Sequence, residues 1–156
     1  LILSMDSKKN ITLASLKKLL HGSFLPILSR HKEKNVAHQY YERTKVKASG
    51  LNQCVADLSG GNQQKVVLSK WLCSEAHVLI FDEPTRGIDV GAKFAIYEMI
   101  ADLARQGTGI ILISSDLTEV AGLAHRVIVL DGGEIKTILD GDQVDLKTIT
   151  GLLLAS

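Results

Sequence analysis

Aromatic side chains are scarce in this chain of 156 residues: one Trp, three Tyr and three Phe, or 4% of the total. So thin a set argues against a nucleic-acid surface built on bases stacked over rings. No apolar run approaches the roughly 18 residues that span a bilayer as a helix. The start of the chain shows no basic-then-apolar leader with a small-residue cleavage site. The two cysteines, Cys54 and Cys73, lie too far apart for a CxxC redox or zinc pair and read as reduced thiols of a cytoplasmic protein. His21, His31, His38, His77 and His125 have no ligand spacing, and no Gly-x-Ser-x-Gly elbow points to a hydrolase. Asp140-Gly141-Asp142 is too short for a calcium loop and reads as a turn. The first residue is Leu1 and not Met, so we expect the chain to be a piece of something longer.

What is present fits a folded domain. Hydrophobic residues at 46% and charged residues at 22% exclude a disordered tail. A chain of this size buries roughly two-thirds of its surface on folding. The net charge of +1 hides an asymmetry: residues 1–57 carry ten Lys/Arg against four Asp/Glu, and residues 58–156 carry eight against thirteen. The basic part centres on Arg30, Lys32, Lys34, Arg43, Lys45 and Lys47. Glu33 and Glu42 interrupt the run and no aromatic-Arg interleaving accompanies it, so it reads as a solvated helical face. The charge break marks two structural regions meeting near residue 57.

Periodicity agrees with that division. Ile11, Ala14, Ser15 and Leu19 recur at helical spacing and predict a helix over about 10–21, punctuated by Gly22 and Pro26. A second helix is expected over about 35–47. Beyond residue 57 helices alternate with short apolar strands. Residues 62–73 form a helix, Val78-Leu79-Ile80-Phe81 a buried strand, and 92–105 an amphipathic helix with Ala92, Ile96, Ile100 and Leu103 on one face. Residues 109–113 make a second buried strand, 127–139 a hairpin around Asp131-Gly132-Gly133, and 145–153 a last helix. Strand, helix, strand in this order implies a parallel pair and an α/β fold.

Two stretches carry chemistry. In Leu58-Ser59-Gly60-Gly61-Asn62-Gln63-Gln64, Ser59 stands where a helix N-cap belongs, and the glycines leave backbone N–H groups unobstructed. Such a helix start attracts phosphate. In the second stretch, the strand 78–81 runs into Asp82-Glu83-Pro84-Thr85. Adjacent carboxylates are costly at the end of a buried strand and point to function, at the strand end where open α/β sheets bind ligands. Asp82 suits a hydrated Mg²⁺, and Glu83 a water poised to attack a γ-phosphate.

Together and in this order, the two stretches resemble the signature and Walker B motifs of ATP-binding cassette (ABC) ATPases. Arg86-Gly87-Ile88-Asp89 then stands at the family's D-loop. The strings 58–66 and 82–93 resemble those in the second cassette of the tandem ATPases that energise bacterial ribose-, xylose-, allose- and related simple-sugar importers. Asn10-Ile11-Thr12-Leu13 resembles the opening of their helical subdomain. The resemblance implies a partial P-loop NTPase fold: a helical subdomain over 1–57, then signature helix, Walker B half of the core, and C-terminal hairpin and helix over 58–156. It implies ATP and Mg²⁺ as ligands, Asp82 holding the metal through water, and Glu83 as catalytic base. Ser59, Gly60, Gly61 and Gln63 would meet ATP held by a partner cassette paired head to tail, with Gly87, Ile88 and Asp89 as D-loop. The implied partners are that cassette, membrane permease subunits and, indirectly, a periplasmic or extracellular sugar-binding protein, with no nucleic acid. The implied place is the cytoplasmic face of the membrane, peripherally bound.

Departures from the family pattern matter as much. No G-x-x-x-x-G-K-[ST] loop occurs in the chain, so we expect no ATP turnover from these residues alone. The position after the second apolar strand, where the family has a switch His, holds Ser115 in Leu112-Ile113-Ser114-Ser115-Asp116. A serine supplies no imidazole for proton transfer or charge. The same Ser-Ser resembles the second cassette of the sugar importers. Two other readings stand beside the importer: a soluble ABC ATPase outside transport, and a non-enzymatic remnant that docks on a partner cassette.

Overall fold

The computed structural model describes residues 1–21 and 27–154. Gly22 and Pro26, expected to end the first helix, lie outside the described residues. The chain opens with α1 (Ser7–Thr12), a 3₁₀ turn over Leu13–Ser15, and α2 (Leu16–Leu19). The single helix expected over 10–21 is therefore corrected: it starts earlier and is broken. The early start comes from Asp6, whose carboxylate accepts the Lys9 amide at 2.8 Å. The break falls at Ser15, whose backbone leaves helical geometry while its hydroxyl donates to the Cys73 carbonyl at 2.8 Å. Ile11, Ser15 and Leu19 are buried as expected, but Ala14 is exposed.

Short strands β1 (Leu20–His21) and β2 (Ile27–Leu28) pair antiparallel and lead to α3 (Arg30–Arg43). This helix begins well before the expected residue 35, because Ser29 caps it through the Lys32 amide. Its first turns are charged and carry no apolar period to read. Arg30, Lys32, Lys34, Arg43, Lys45 and Lys47 are all exposed. After a 3₁₀ turn (Val55–Asp57) comes α4 (Gly60–Cys73), which packs against both α1 and α3. Between α3 and α4 the Thr44 and Ser69 hydroxyls bond to one another, buried, at 2.7 Å.

The strand β3 (Val78–Asp82), the helix α5 (Val90–Arg105) and β4 (Gly109–Ile113) form the parallel unit that the order predicts. The register runs from Val78 opposite Gly109 to Asp82 opposite Ile113. One core joins these elements to the helices: Ile11, Tyr40, Tyr41, Val66, Leu72, Leu79, Phe81, Ile96, Ile100 and Leu103. The strands were expected to be buried, and the structure corrects this: β3 is buried on one face only, and β4 is at most partly buried. Alternate residues Val78, Ile80, Ile111 and Ile113 remain 50–66% exposed. A strand turns successive side chains to opposite faces, and the residues that join this core, Leu79, Phe81, Ile110 and Leu112, alternate with the exposed ones.

After α6 (Leu117–Leu123), strands β5 (Arg126–Asp131) and β6 (Glu134–Asp140) form the hairpin, with Gly132 and Gly133 at positive φ in its turn. Gly141–Gln143 is the expected turn, and α7 (Leu146–Leu154) closes the chain. Val127, Val129, Leu139 and Ile149 make a second, smaller core against α6. Among the described residues, no helix is long and apolar enough to cross a membrane.

Ile96 is fully buried whereas Phe94, two residues earlier on α5, is 63% exposed. Ile96→Ala is expected to lower the unfolding free energy by about 2–5 kcal/mol, and Phe94→Ala by less than about 1 kcal/mol. Urea denaturation of both variants checks the contrast.

Candidate active site

The parallel ladder delivers two carboxylates to one strand end. Asp82 is the last residue of β3 and is exposed. Glu83 follows with its amide donating to the Ile113 carbonyl at 2.9 Å, so the chain leaves the sheet level with the end of β4. Its backbone turns into the left-handed region, φ 47°, a conformation that costs a side-chain-bearing residue on the order of 1 kcal/mol or more. Pro84 and Thr85, both buried, anchor the turn beneath. The turn aims the Glu83 carboxylate at the segment after β4, where Oε1 accepts the Ser115 amide at 2.8 Å. Glu83 and Ser115, predicted as site residues from separate parts of the sequence, are thus in contact. The contact uses the serine backbone, not its hydroxyl.

The segment 114–116 is held by a local network. The Ser114 hydroxyl donates to Glu119 Oε2 and accepts the Asp116 amide at 3.0 Å. Asp116 caps α6 through the amides of Thr118 and Glu119. Its other oxygen accepts Lys93 Nζ at 2.9 Å, an ion pair from α6 to α5. The hydrogen bond from Lys93 holds the Asp116 carboxyl below its ordinary pKa, and the same bond raises that of Lys93. Glu119 is 1% exposed, with Oε1 buried and unpartnered. None of Lys93, Ser114, Asp116 and Glu119 was assigned a role from the sequence. The one readable trace was Asp116-Leu117-Thr118-Glu119, a cap residue with an acid three positions on.

The signature stretch is built differently. Ser59 is the N-cap of α4 as predicted, but its side chain does not cap the helix. It accepts instead from Asn62 Nδ2 at 3.0 Å, and Asn62 Oδ1 accepts the Lys47 amide at 2.8 Å. The helix's first N–H groups have no intrahelical partner, and the serine hydroxyl does not take them. Gln63 turns back on its own chain, donating to the carbonyls of Val55 and Leu58 at 3.1 and 3.2 Å. Lys65, one turn on, is buried, with Nζ on the Lys45 carbonyl at 3.1 Å. Burial, with Lys47 and Lys45 nearby, lowers its pKa.

Signature and D-loop meet. A methyl group added at Gly61 would stand 3.2 Å from Ala92 Cβ and 3.7 Å from Ile88. Gly87, at φ 72°, turns the chain toward Asp89, which caps α5 through the Ala92 amide at 2.9 Å. Gly61 of the signature is therefore packed against Ile88 of the D-loop and Ala92 of α5. Glu83 makes its contact elsewhere, with the Ser115 amide. No hydrogen bond or ion pair links Ser59 to Asp82 or Glu83 among the described residues.

The donor chemistry fits the ligands in part. Open first-turn N–H groups beside Gly60, where nothing lies within 4 Å of an added Cβ, suit a phosphate oxygen. Among the described residues no three His, Cys, Asp or Glu side chains gather to enclose a metal. A lone Asp82 suits Mg²⁺, which binds through one or two carboxylates with water and phosphate.

The chain belongs to the ABC transporter family: the family model, described as ABC transporter, matches residues 5–86, just over half of it. Among curated proteins, the chain is 48% identical over 149 residues to the ribose import ATP-binding protein of Geobacillus kaustophilus, covering 96% of this chain and 30% of that protein. It is 51% identical over 135 residues to the xylose import ATP-binding protein of the same organism, covering 86% of this chain and 26% of that one. The chain thus spans under a third of the length of these relatives. Solved structures agree on the fold. A dimeric ATP-binding cassette in a post-hydrolysis state with ADP and Pi superposes with a TM-score of 0.76 at 21% identity, over 90% of this chain and 58% of that one. A nucleotide-free cassette from an ABC transporter gives 0.77 at 19%, over 98% and 60%.

Two outcomes follow from this geometry. Gly61→Val, driven into Ala92 and Ile88, is expected to cost about 1–3 kcal/mol, while Gly60→Ala changes stability by less than about 1 kcal/mol; thermal melts of the two compare them. The Lys93–Asp116 pair gives a pH signature. Asp116, with its pKa lowered, stabilises the fold above its ordinary value and ceases to as pH falls through the lowered one. Lys93, with its pKa raised, contributes below its ordinary value and loses its effect as pH climbs through the raised one. The gap in melting temperature between wild type and Lys93→Met is therefore widest around neutrality and closes at both extremes.

Proposed function

We propose that the chain is the C-terminal part of one cassette in an ATP-hydrolysing subunit that energises import of a simple sugar through an ABC transporter. Residues 1–57 are the helical subdomain. Residues 58–156 are the signature helix, the Walker B half of the core, and the C-terminal hairpin and helix. The carrying observation is that the two phosphate-related stretches make separate contacts: Gly61 lies against Ala92 and Ile88 at the D-loop, and Glu83 against the Ser115 amide. That arrangement suits a head-to-tail pair in which each nucleotide lies between two cassettes. The near-half identity to ribose and xylose import ATP-binding proteins supports the sugar.

In this reading Ser59, Gly60 and Gly61 offer N–H groups and a hydroxyl to the γ-phosphate of ATP held by the partner cassette. Gln63 keeps the signature turn in shape through Val55 and Leu58. Gly87, Ile88 and Asp89 line the same contact. Asp82 and Glu83 serve the nucleotide of this chain's own cassette, Asp82 holding Mg²⁺ through water. The metal, when bound, screens the phosphate charge that builds up during transfer. Glu83 is the acceptor for the proton of the attacking water, oriented by the Ser115 amide. Ser115, without imidazole chemistry, leaves this second site the slower of the two. The subunit works peripherally at the cytoplasmic face of the membrane, with permease subunits and, indirectly, a periplasmic or extracellular sugar-binding protein.

Two experiments test the assignment. In the complete transporter, Ser59→Arg is expected to reduce sugar-stimulated ATPase activity more than tenfold and Glu83→Gln less; the reverse order overturns it. By themselves, residues 1–156 are expected to turn over no ATP and to bind Mg-ATP weakly, if at all, since no phosphate loop is among them. Micromolar Mg-ATP affinity by calorimetry on these residues would contradict that expectation.

A further inference from the structure

The carboxylate of Glu83 has one hydrogen-bond partner among the described residues, the Ser115 amide at 2.8 Å. That amide sits in irregular chain between β4 and α6, where no ladder fixes it. Its neighbours' bonds are short-range: Asp116 amide to Ser114, Ser114 to Glu119, and the α6 amides to Asp116. All of these stay within 114–119 and would travel with the segment if it moved. Apart from the bond to Glu83 itself, one side-chain hydrogen bond among the described residues ties 114–116 to an element other than α6: Lys93 Nζ on Asp116 Oδ2 at 2.9 Å.

Lys93 is well placed to act as that anchor. It stands in the first turns of α5, four residues after the Asp89 cap, on a helix held in the core by Ile96, Ile100 and Leu103. The Lys93 and Asp116 side chains are 26% and 34% exposed, so solvent screens the pair and its Coulomb energy is modest. Its consequence is geometric. Asp116 Oδ1 serves the α6 cap while Oδ2 serves Lys93, so one carboxylate joins the start of α6 to α5.

We propose that Lys93 and Asp116 are positioning residues for the Glu83 carboxylate: their pair holds the 114–116 segment so that the Ser115 N–H stays on Glu83 Oε1 and leaves Oε2 free to face a water. The role rests on the reading above, in which Glu83 serves this chain's own nucleotide. It also gives a continuous physical path from the D-loop, through the Asp89 cap, α5, Lys93 and Asp116, to the Ser115 amide. Because Ser115 stands where a ring would otherwise contact the site, the backbone N–H is what the segment presents to Glu83.

The test reads amide hydrogen exchange by NMR on the full chain without nucleotide, in wild type, Lys93→Met, Lys93→Arg and Asp116→Asn. In Lys93→Met the Ser115 amide is expected to exchange at least tenfold faster while amides of the β3–β4 ladder stay within twofold. Lys93→Arg, which keeps the charge and a donor, returns Ser115 to within threefold of wild type. A Ser115 rate unchanged within twofold in Lys93→Met, ladder amides accelerating in parallel, or failure of Lys93→Arg to restore protection each overturns the proposal. Should Lys93→Met not fold, Asp116→Asn carries the comparison, because Asn keeps the cap while losing the charge; at least threefold faster exchange is expected, and no change overturns the proposal. Turnover separates this proposal from the functional reading. In the complete transporter carrying Ser59→Arg, Lys93→Met is expected to lower the residual kcat about tenfold with KM for ATP within twofold. Accelerated exchange with unchanged kcat would leave the positioning intact and remove Glu83 from the reaction.

Discussion

Everything at the candidate site hangs on the register of one parallel strand pair. With Asp82 opposite Ile113, the two strands end at the same height, and the Glu83 amide closes the ladder on the Ile113 carbonyl. From that point one strand turns into the acidic pair and the other into Ser114-Ser115-Asp116. A slip of one residue would reverse which side chains face the core, lifting Leu79 and Phe81 out of it and parting Glu83 from Ser115. The burial of Leu79 and Phe81 in the core shared with α4 and α5 therefore maintains a contact that neither strand end makes stable alone.

The helix α4 performs a comparable service for the signature turn. Its buried face, Val66, Leu68, Ser69, Leu72 and Cys73, rests on α1, α3 and the sheet layer. Its C-terminal end takes the Ser15 hydroxyl, and its N-terminal end brings Gly61 within contact of Ala92 and Ile88. Gly61 allows the approach, since any side chain there would part the two helix starts. The signature and the D-loop are consequently positioned by one helix–helix contact. The carboxylates are positioned by the sheet, and the Lys93–Asp116 pair spans the two systems.

Much of this was readable from local pattern. The apolar runs 78–81 and 109–113, the period of α5 and the Gly-Gly hairpin turn each follow from side-chain spacing and appear where expected. Helix starts were less legible. At α3 the charged residues 30–34 hide the helix, and at α1 a serine bonded to a carbonyl 58 positions away breaks it. At α4 the start was legible, with Ser59 as its N-cap residue; the pairing of its hydroxyl with Asn62 is what spacing alone did not show. Burial of the strands was overestimated, because a hydrophobic run records what a strand can cover and not which neighbours are there to cover it.

The sequence by itself determined the chemical identities at the site and their order along the chain: the Ser-Gly-Gly turn, the acidic pair ending an apolar strand, and a serine at the switch position. These depend on residue type and short spacing, which local forces read directly. Only the tertiary structure decided which of them meet. Glu83 finds the backbone of Ser115, Lys93 finds Asp116 and Gly61 finds Ala92, all across separations of 23 residues or more. Those pairings come from strand register and helix packing, where many weak contacts add up over the whole core. No short stretch of the chain contains enough of them to specify one.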